Sequence, residues 1–331
     1  MSKRWCYSSG LLKAYKSPLH TVVIGNLSMG GTGKTPFAIY LIESFIEQKA
    51  KVAYLSRGYG RSSKGLRVVE GDSNVSDAGD EAITVKMRFP SLDVVVCENR
   101  REGLEYIKEA TDASVVIMDD AFQHMRVKAE FYFLLTTYEK PFYRDSVFPL
   151  GTLREPRRFA KTAQSIVVTK CPDGLEAESK SRIENKIKNY SEQSVLFSQI
   201  NYATVLYAVS GVSGMPLTQV GAAIAFAGTA SNEIFFKQVG RQFQLLDQLS
   251  FADHHNYSLS DIRRIKKMFE GVSFSGPGDL IILTTEKDAA RLRTKAFEQE
   301  FGTIPLFYWP INAGFDNQSK NKIDKIVDQL C

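Results

Sequence analysis

The stretch Ser28-Met-Gly-Gly-Thr-Gly-Lys-Thr35 sets three glycines, a lysine and three hydroxyls within eight residues. Glycines at such positions take positive φ and turn backbone N–H groups toward an anion. A lysine and a threonine at the end of the run suit the β/γ-phosphates of a nucleotide and a Mg²⁺ ion. Lys34 is therefore the phosphate candidate and Thr35 the metal candidate, with Ser28, Met29, Gly30, Gly31, Thr32 and Gly33 forming the cradle. The strict pattern begins with glycine, and Ser28 stands in its place. A second signal is Val115-Val-Ile-Met-Asp-Asp120, an apolar strand delivering Asp119 and Asp120 to the ion beside the phosphates.

These residues need a strand, a turn and a helix to hold them. Thr21 to Ile24 reads as a short buried strand, and Phe37, Leu41 and Phe45 mark one face of a helix after the glycine turn. Pro36 is tolerated in that helix because first-turn N–H groups have no helical partner. A helix N-terminus adds partial positive charge where phosphates would lie. Further strands are expected at Val52–Ser56, Asp93–Cys97, Phe131–Leu135 and Ser165–Thr169. In an α/β sheet, ligands gather at the carboxyl ends of strands. That edge collects Arg57, Tyr59 and Arg61, then Glu98 to Arg101, then Gln123 and His124. Asp80 and Glu81 open a helix that runs to about Arg88, where acids also serve as dipole partners. Glu155 lies between Arg154 and Pro156 in a loop.

Past about residue 195 the pattern changes. Strands rich in Val, Tyr and Leu surround Ser210-Gly-Val-Ser-Gly214 and read as a β-hairpin connector over 195–220. A second α/β unit follows over 221–331, with strands at Ala222–Phe226, Asp279–Leu283 and Leu306–Trp309. Asp253, His254 and His255 precede the capping signal Ser258-x-x-Asp261. Adjacent histidines do not suit one metal site, so acid–base use of one of them is the functional reading. Thr285-Glu-Lys-Asp288 gives the second unit a polar strand end.

Composition bounds the rest. A chain of 331 residues is long for one core, so two domains are expected, the first over 1–194. A net charge of +5, with basic residues scattered, argues against nucleic acid. Four cysteines far apart, without a Cys-x-x-Cys pair, argue against zinc and for reduced thiols in a cytoplasmic compartment. No apolar run approaches the ~18–20 residues that span a bilayer, and no signal peptide is evident. Residues 1–17 interleave Lys3, Arg4, Lys13 and Lys16 with Trp5, Tyr7, Leu11, Leu12 and Tyr15. That segment reads either as an interfacial anchor for anionic lipid or as a helix packed on the domain.

Taken together, the stretch 25–36, Ser56-Arg-Gly-Tyr-Gly60, Gly79-Asp-Glu81, Asp119-Asp-Ala-Phe-Gln-His124, Leu153-Arg-Glu-Pro156, Phe251-x-Asp-His-His-x-Tyr257 and Thr285-Glu-Lys-Asp288 resemble the tetraacyldisaccharide 4′-kinase family, in order over nearly the whole chain. The resemblance implies a P-loop kinase domain with a mostly parallel sheet, joined by a β-hairpin to a smaller α/β domain. It implies transfer of the ATP γ-phosphate to the 4′-hydroxyl of tetraacyldisaccharide 1-phosphate, giving lipid IVA. Thr35, Asp119, Asp120 and Glu155 would organise Mg²⁺, and Asp80 would act as general base supported by His254, brought to it by closure of the hairpin. Arg57, Arg100 and Arg154 become candidates for substrate phosphate and transition-state charge, and Tyr59, Glu81, Gln123 and His124 for substrate contacts. The implied setting is the cytoplasmic face of the inner membrane, peripherally attached, with no obligate protein partner. Members usually begin with a longer apolar helix that docks on the membrane, so weaker docking or a truncated start is expected here. Ala121 also stands where many members have glycine. The reading from another class is a nucleotide-switch ATPase; such proteins carry a lysine before the Gly-Gly of the loop, where this chain has Met29.

Overall fold

The computed structural model describes residue 7 and residues 11–190, 193–211 and 213–331. In chain order the strands are β1 (Tyr15–Lys16), β2 (His20–Asn26), β3 (Val52–Ser56), β4 (Arg67–Val68), β5 (Asp93–Val96), β6 (Val115–Met118), β7 (Val127–Lys128), β8 (Phe131–Thr137), β9 (Ser165–Thr169), β10 (Ser194–Tyr202), β11 (Val205–Ala208), β12 (Gly214–Pro216), β13 (Val220–Ala227), β14 (Gln244–Ser250), β15 (Asp279–Thr285), β16 (Leu306–Trp309) and β17 (Ile311–Phe315). The helices that bear on the site are α1 (Lys34–Glu47), α2 (Asp80–Arg88), α3 (Arg100–Ala110), α4 (Asn232–Gln242), α5 (Leu259–Glu270), α6 (Glu286–Leu292) and α7 (Asn317–Leu330).

Nine strands form one sheet in the order β17-β10-β9-β8-β2-β6-β3-β5-β4, parallel from β10 to β5 and closed by an antiparallel strand at each edge. Its centre, β2, buries every residue from Thr21 to Asn26, as a strand covered on both faces must. On one face Phe37 of α1 meets Phe133 edge-on at 5.0 Å. Six strands form the second sheet, β12-β11-β16-β15-β13-β14, with α4 on one face and α5 on the other. The α/β class and the parallel sheets expected from the sequence are present.

The connector differs from the sequence reading. Val195 to Phe197 do not belong to a hairpin linker; they are buried in β10, which pairs in parallel with β9 inside the first sheet. The hairpin is β11–β12, at the edge of the second sheet. Two chain crossings join the sheets: β10, paired with β17 in the first sheet from Ser198↔Phe315 to Tyr202↔Ile311, runs on into β11, and β16, paired with β11 in the second sheet at Tyr207↔Tyr308, runs on into β17. Residues 311–331 therefore leave the second unit and return to the first. Helix α7 drives that return, because its buried Ile323 and Val327 complete the core around Phe37 and Leu196.

Candidate active site

Strand β2 ends at Asn26, and the chain then turns through the glycine run into α1. Gly33 caps α1 at φ 81°, a left-handed conformation that glycine takes without steric cost. No acid occupies the first turn of α1, so its partial positive charge is left for an anion. A Cβ at Gly30 or Gly31 would meet nothing within 4 Å, which leaves open space over the loop. The loop is laced from below. The Thr169 hydroxyl donates to the Thr32 carbonyl (2.8 Å), and the Met29 N–H donates to the Thr152 carbonyl (2.8 Å). Asn26, overlooked in the sequence, donates to the Ser28 carbonyl (2.8 Å), while its own carbonyl accepts from Gln123 (2.8 Å).

Carboxylates gather opposite the loop. Asp119 is fully buried after β6; Oδ2 accepts from the Tyr54 hydroxyl at 2.7 Å and Oδ1 from the Asp120 N–H at 2.8 Å. Burial pushes its carboxyl up, against the pull of Lys34 and the Tyr54 hydrogen bond. Asp120, at φ 46°, turns toward Lys34 Nζ (3.4 Å) and Arg154 Nη1 (3.3 Å). Burial would raise it too, but those two cations outweigh burial and hold it below the usual range. Arg100 is 2 % exposed and donates to the Cys97 and Asp119 carbonyls. Its guanidinium thus holds backbone, instead of facing a substrate as the sequence suggested, and burial lowers its pKa to about 10. His124 is pushed down to about 4 by burial and by the charges of Arg100 and Arg57, which keeps it neutral at physiological pH.

Oxygen donors of the kind Mg²⁺ prefers are present. Thr35 is buried at the first turn of α1; among the described residues Thr32 Oγ1 is buried with no hydrogen-bond partner, and buried Asp120 Oδ1 faces only Lys34 Nζ, 3.4 Å away. Mg²⁺ is ordinarily held by one or two carboxylates plus substrate phosphates, and Asp119 and Asp120 fit that requirement. Glu155 is not gathered with them. Among the described residues no three His, Cys, Asp or Glu side chains come together to hold an ion.

The third cluster crosses between the sheets. Gly79, at φ 84°, lets the chain turn sharply into α2; a Cβ there would lie 2.6 Å from the Tyr59 carbonyl. Asp80 follows, 3 % exposed, with Oδ2 3.3 Å from His254 Nδ1 and 2.6 Å from Arg291 Nη2. The two residues that the sequence separated by a closing motion are in contact here. His255 goes elsewhere: it stacks on Phe251 and lies 3.1 Å from Asp261, the capping-box carboxylate of α5. Arg291 was missed in the sequence. It also donates to Asp288 (3.0 Å) and to the Gly228 carbonyl (2.7 Å), so a single guanidinium ties α6 to Asp80.

Burial alone would raise the Asp80 carboxyl. The His254 hydrogen bond and the charges of Lys287 and Arg291 outweigh it and hold the group well below the usual carboxylate range. His254 is raised in turn, chiefly by its hydrogen bond to Asp80. Tyr59 brings its ring edge-on to His254 with centroids 5.9 Å apart. Glu81, raised by burial, pairs with Lys287 (3.8 Å) and also feels Asp119 and Lys34, which links this cluster to the carboxylates at the loop.

The sequence profile of tetraacyldisaccharide-1-P 4′-kinase matches residues 1–329. A tetraacyldisaccharide 4′-kinase of Flavobacterium psychrophilum is 35% identical over 99% of this chain and 92% of its own length. One from Bacteroides thetaiotaomicron is 36% identical over 86% of this chain and 77% of its own. Among solved structures, LpxK from Aquifex aeolicus in complex with ATP superposes with a TM-score of 0.76 at 26% identity, covering 99% of this chain and 93% of that one. The chain belongs to the tetraacyldisaccharide 4′-kinase family.

Proposed function

We propose that the three clusters form one active site that phosphorylates a lipid disaccharide. The reaction moves the γ-phosphate of ATP to the 4′-hydroxyl of tetraacyldisaccharide 1-phosphate, giving lipid IVA in lipid A biosynthesis. The observation that carries the site reading is the Asp80–His254–Arg291 contact, which sets an acid–base pair across the sheet junction from the phosphate loop. Lys34 and the amides of 28–33 hold the phosphates. Thr35, Asp119 and Asp120 hold Mg²⁺, with Glu155 a further candidate that local movement would have to bring in. When bound, Mg²⁺ neutralises charge on the β- and γ-phosphate oxygens.

Asp80 accepts the proton of the attacking hydroxyl, and His254 orients and shares it. Arg154 and Arg57 face anionic oxygen, whereas Arg100 acts through the backbone it holds. Tyr59, Glu81, Gln123 and His124 line the acceptor side. The enzyme works peripherally at the cytoplasmic face of the inner membrane; among the described residues no helix is long and apolar enough to cross a membrane. Replacing Asp80 tests the assignment. Asp80→Asn lowers kcat by about 10²–10⁴, the usual worth of a general base, while nucleotide affinity stays within about two-fold. Unchanged turnover removes Asp80 from the chemistry.

A further inference from the structure

The loop between β8 and β9 carries an apolar tip that the reaction chemistry does not use. Phe148 is 67 % and Leu150 90 % exposed, and Val147 is exposed beside them. Single exposed apolar side chains are ordinary on a soluble surface, but three within four residues form a patch. The tip is also built, not slack. Asp145 Oδ1 accepts from the N–H groups of Ser146 (2.7 Å) and Thr152 (3.0 Å), and the Phe148 N–H donates to the Leu153 carbonyl (3.0 Å). Leu153 is fully buried beneath the tip, so the loop has its anchor inside and still presents Phe148 and Leu150 outward.

Its surroundings select the partner. From 144 to 161 the chain carries Arg144, Arg154, Arg157, Arg158 and Lys161 against Asp145 and Glu155. Asp145 is turned inward onto the loop's own N–H groups, Arg154 reaches Asp120, and Arg157 donates to the Asp145 carbonyl, which leaves the exposed Arg144, Arg158 and Lys161 as the cationic rim. The turn 157–162 then leads to a groove where Tyr7, Ala14 and Lys16 of the N-terminal segment meet Met125, Thr162 and Gln164. Leu11 and Leu12, between Tyr7 and Ala14 in the chain, are exposed as well. Apolar side chains rimmed by cations suit an interface with acyl chains below and anionic headgroups around.

We infer that the Val147–Leu150 tip docks on the surface of an anionic bilayer. The inference rests on the lipid-kinase reading. The tip neighbours the phosphate loop through the Met29–Thr152 hydrogen bond and the Ser28↔Leu153 bridge, so docking brings the catalytic loop to the membrane surface.

Sedimentation of the 331-residue chain with phosphatidylcholine–phosphatidylglycerol vesicles tests this. Phe148→Ser/Leu150→Ser weakens vesicle binding at least ten-fold. Ile234→Ser, an exposed apolar side chain on α4 of the second sheet, leaves binding near the wild-type level. Nucleotide affinity of both variants confirms folding, and label transfer in detergent micelles reports the kinase reading separately. The inference is overturned by any of three results: no wild-type binding, no effect of the double variant, or an equal loss in Ile234→Ser. Binding indifferent to phosphatidylglycerol content overturns the anionic assignment.

Discussion

Asp80 is a buried carboxylate with two strong donors, and that combination shapes its chemistry. Arg291, Lys287 and His254 together suppress its affinity for a proton, so it is ionised throughout the physiological range. Such a group is a weak base toward a neutral alcohol. In a loose phosphoryl-transfer transition state the acceptor oxygen gains little bonding early, so a low-affinity carboxylate can orient the hydroxyl and take its proton late. Arg291→Met removes a cation, which raises the Asp80 pKa. The acid limb of the kcat/KM–pH profile then moves upward toward the ordinary carboxylate value of about 4, and turnover falls about ten-fold or more. Arg291→Lys restores most of both. A profile unmoved by Arg291→Met would show that this guanidinium does not tune Asp80.

The same shift has a stability consequence. A carboxyl whose folded pKa is depressed contributes stability above its unfolded value of about 4 and loses it as pH falls. Melting temperature therefore drops from pH 6 to pH 3, and the drop is smaller in Asp80→Asn. Lys34 and Asp119 were candidates on local motifs alone, whereas Asp80 and His254 were singled out only through the family resemblance. Arg291 carried neither signal: it is one arginine in a short polar helix, and its partner lies 211 residues away. Asn26 and Tyr54 were hidden likewise, as hydrogen-bonding members of apolar strands.

At the level of elements, α2 and α6 are locked by a strip of charges from three consecutive residues. Glu286 takes Arg88, Lys287 takes Glu81, and Asp288 steadies Arg291 against Asp80. The polar strand end at Thr285–Asp288, to which the sequence assigned no particular role, fastens the two sheets together. Arg88 also reaches the Ile311 carbonyl (3.1 Å) and Asn312 (3.0 Å), so the same side chain pins the returning strand. Glu286 is buried, and burial already raises its pKa. Arg88→Met leaves that carboxyl unpaired and costs about 3–5 kcal/mol; Arg88→Met/Glu286→Met recovers most of it, as urea denaturation would measure. A double variant no more stable than Arg88→Met would contradict the pairing. Strand–turn–helix units such as β2 to α1 were legible because their signals are local. The pairing of β10 with β17 was not, because residues more than 100 apart set it and neither strand announces its neighbour.

For the whole molecule, the C-terminal return makes the two units interdependent. Ending the chain after Pro310 does not trim a peripheral domain; it removes β17 and α7, with Ile323 and Val327, from the core behind α1. Such a protein is expected to lose nucleotide binding along with cooperative unfolding, a result that calorimetry in the presence of ATP would show. A truncated chain that still binds ATP normally would contradict that dependence. The fold class was legible, since apolar strands alternate with amphipathic helices. The domain boundary was not, because only Pro310 separates a strand of one sheet from a strand of the other. This assembly moves phosphate from ATP to a lipid sugar, and one assay reads that transfer directly. Purified protein is given γ-³²P-labelled ATP and tetraacyldisaccharide 1-phosphate in detergent micelles, with Lys34→Ala alongside. Label on the 4′ position of the lipid, absent with Lys34→Ala, is the expected result. Release of labelled inorganic phosphate with no labelled lipid would contradict it.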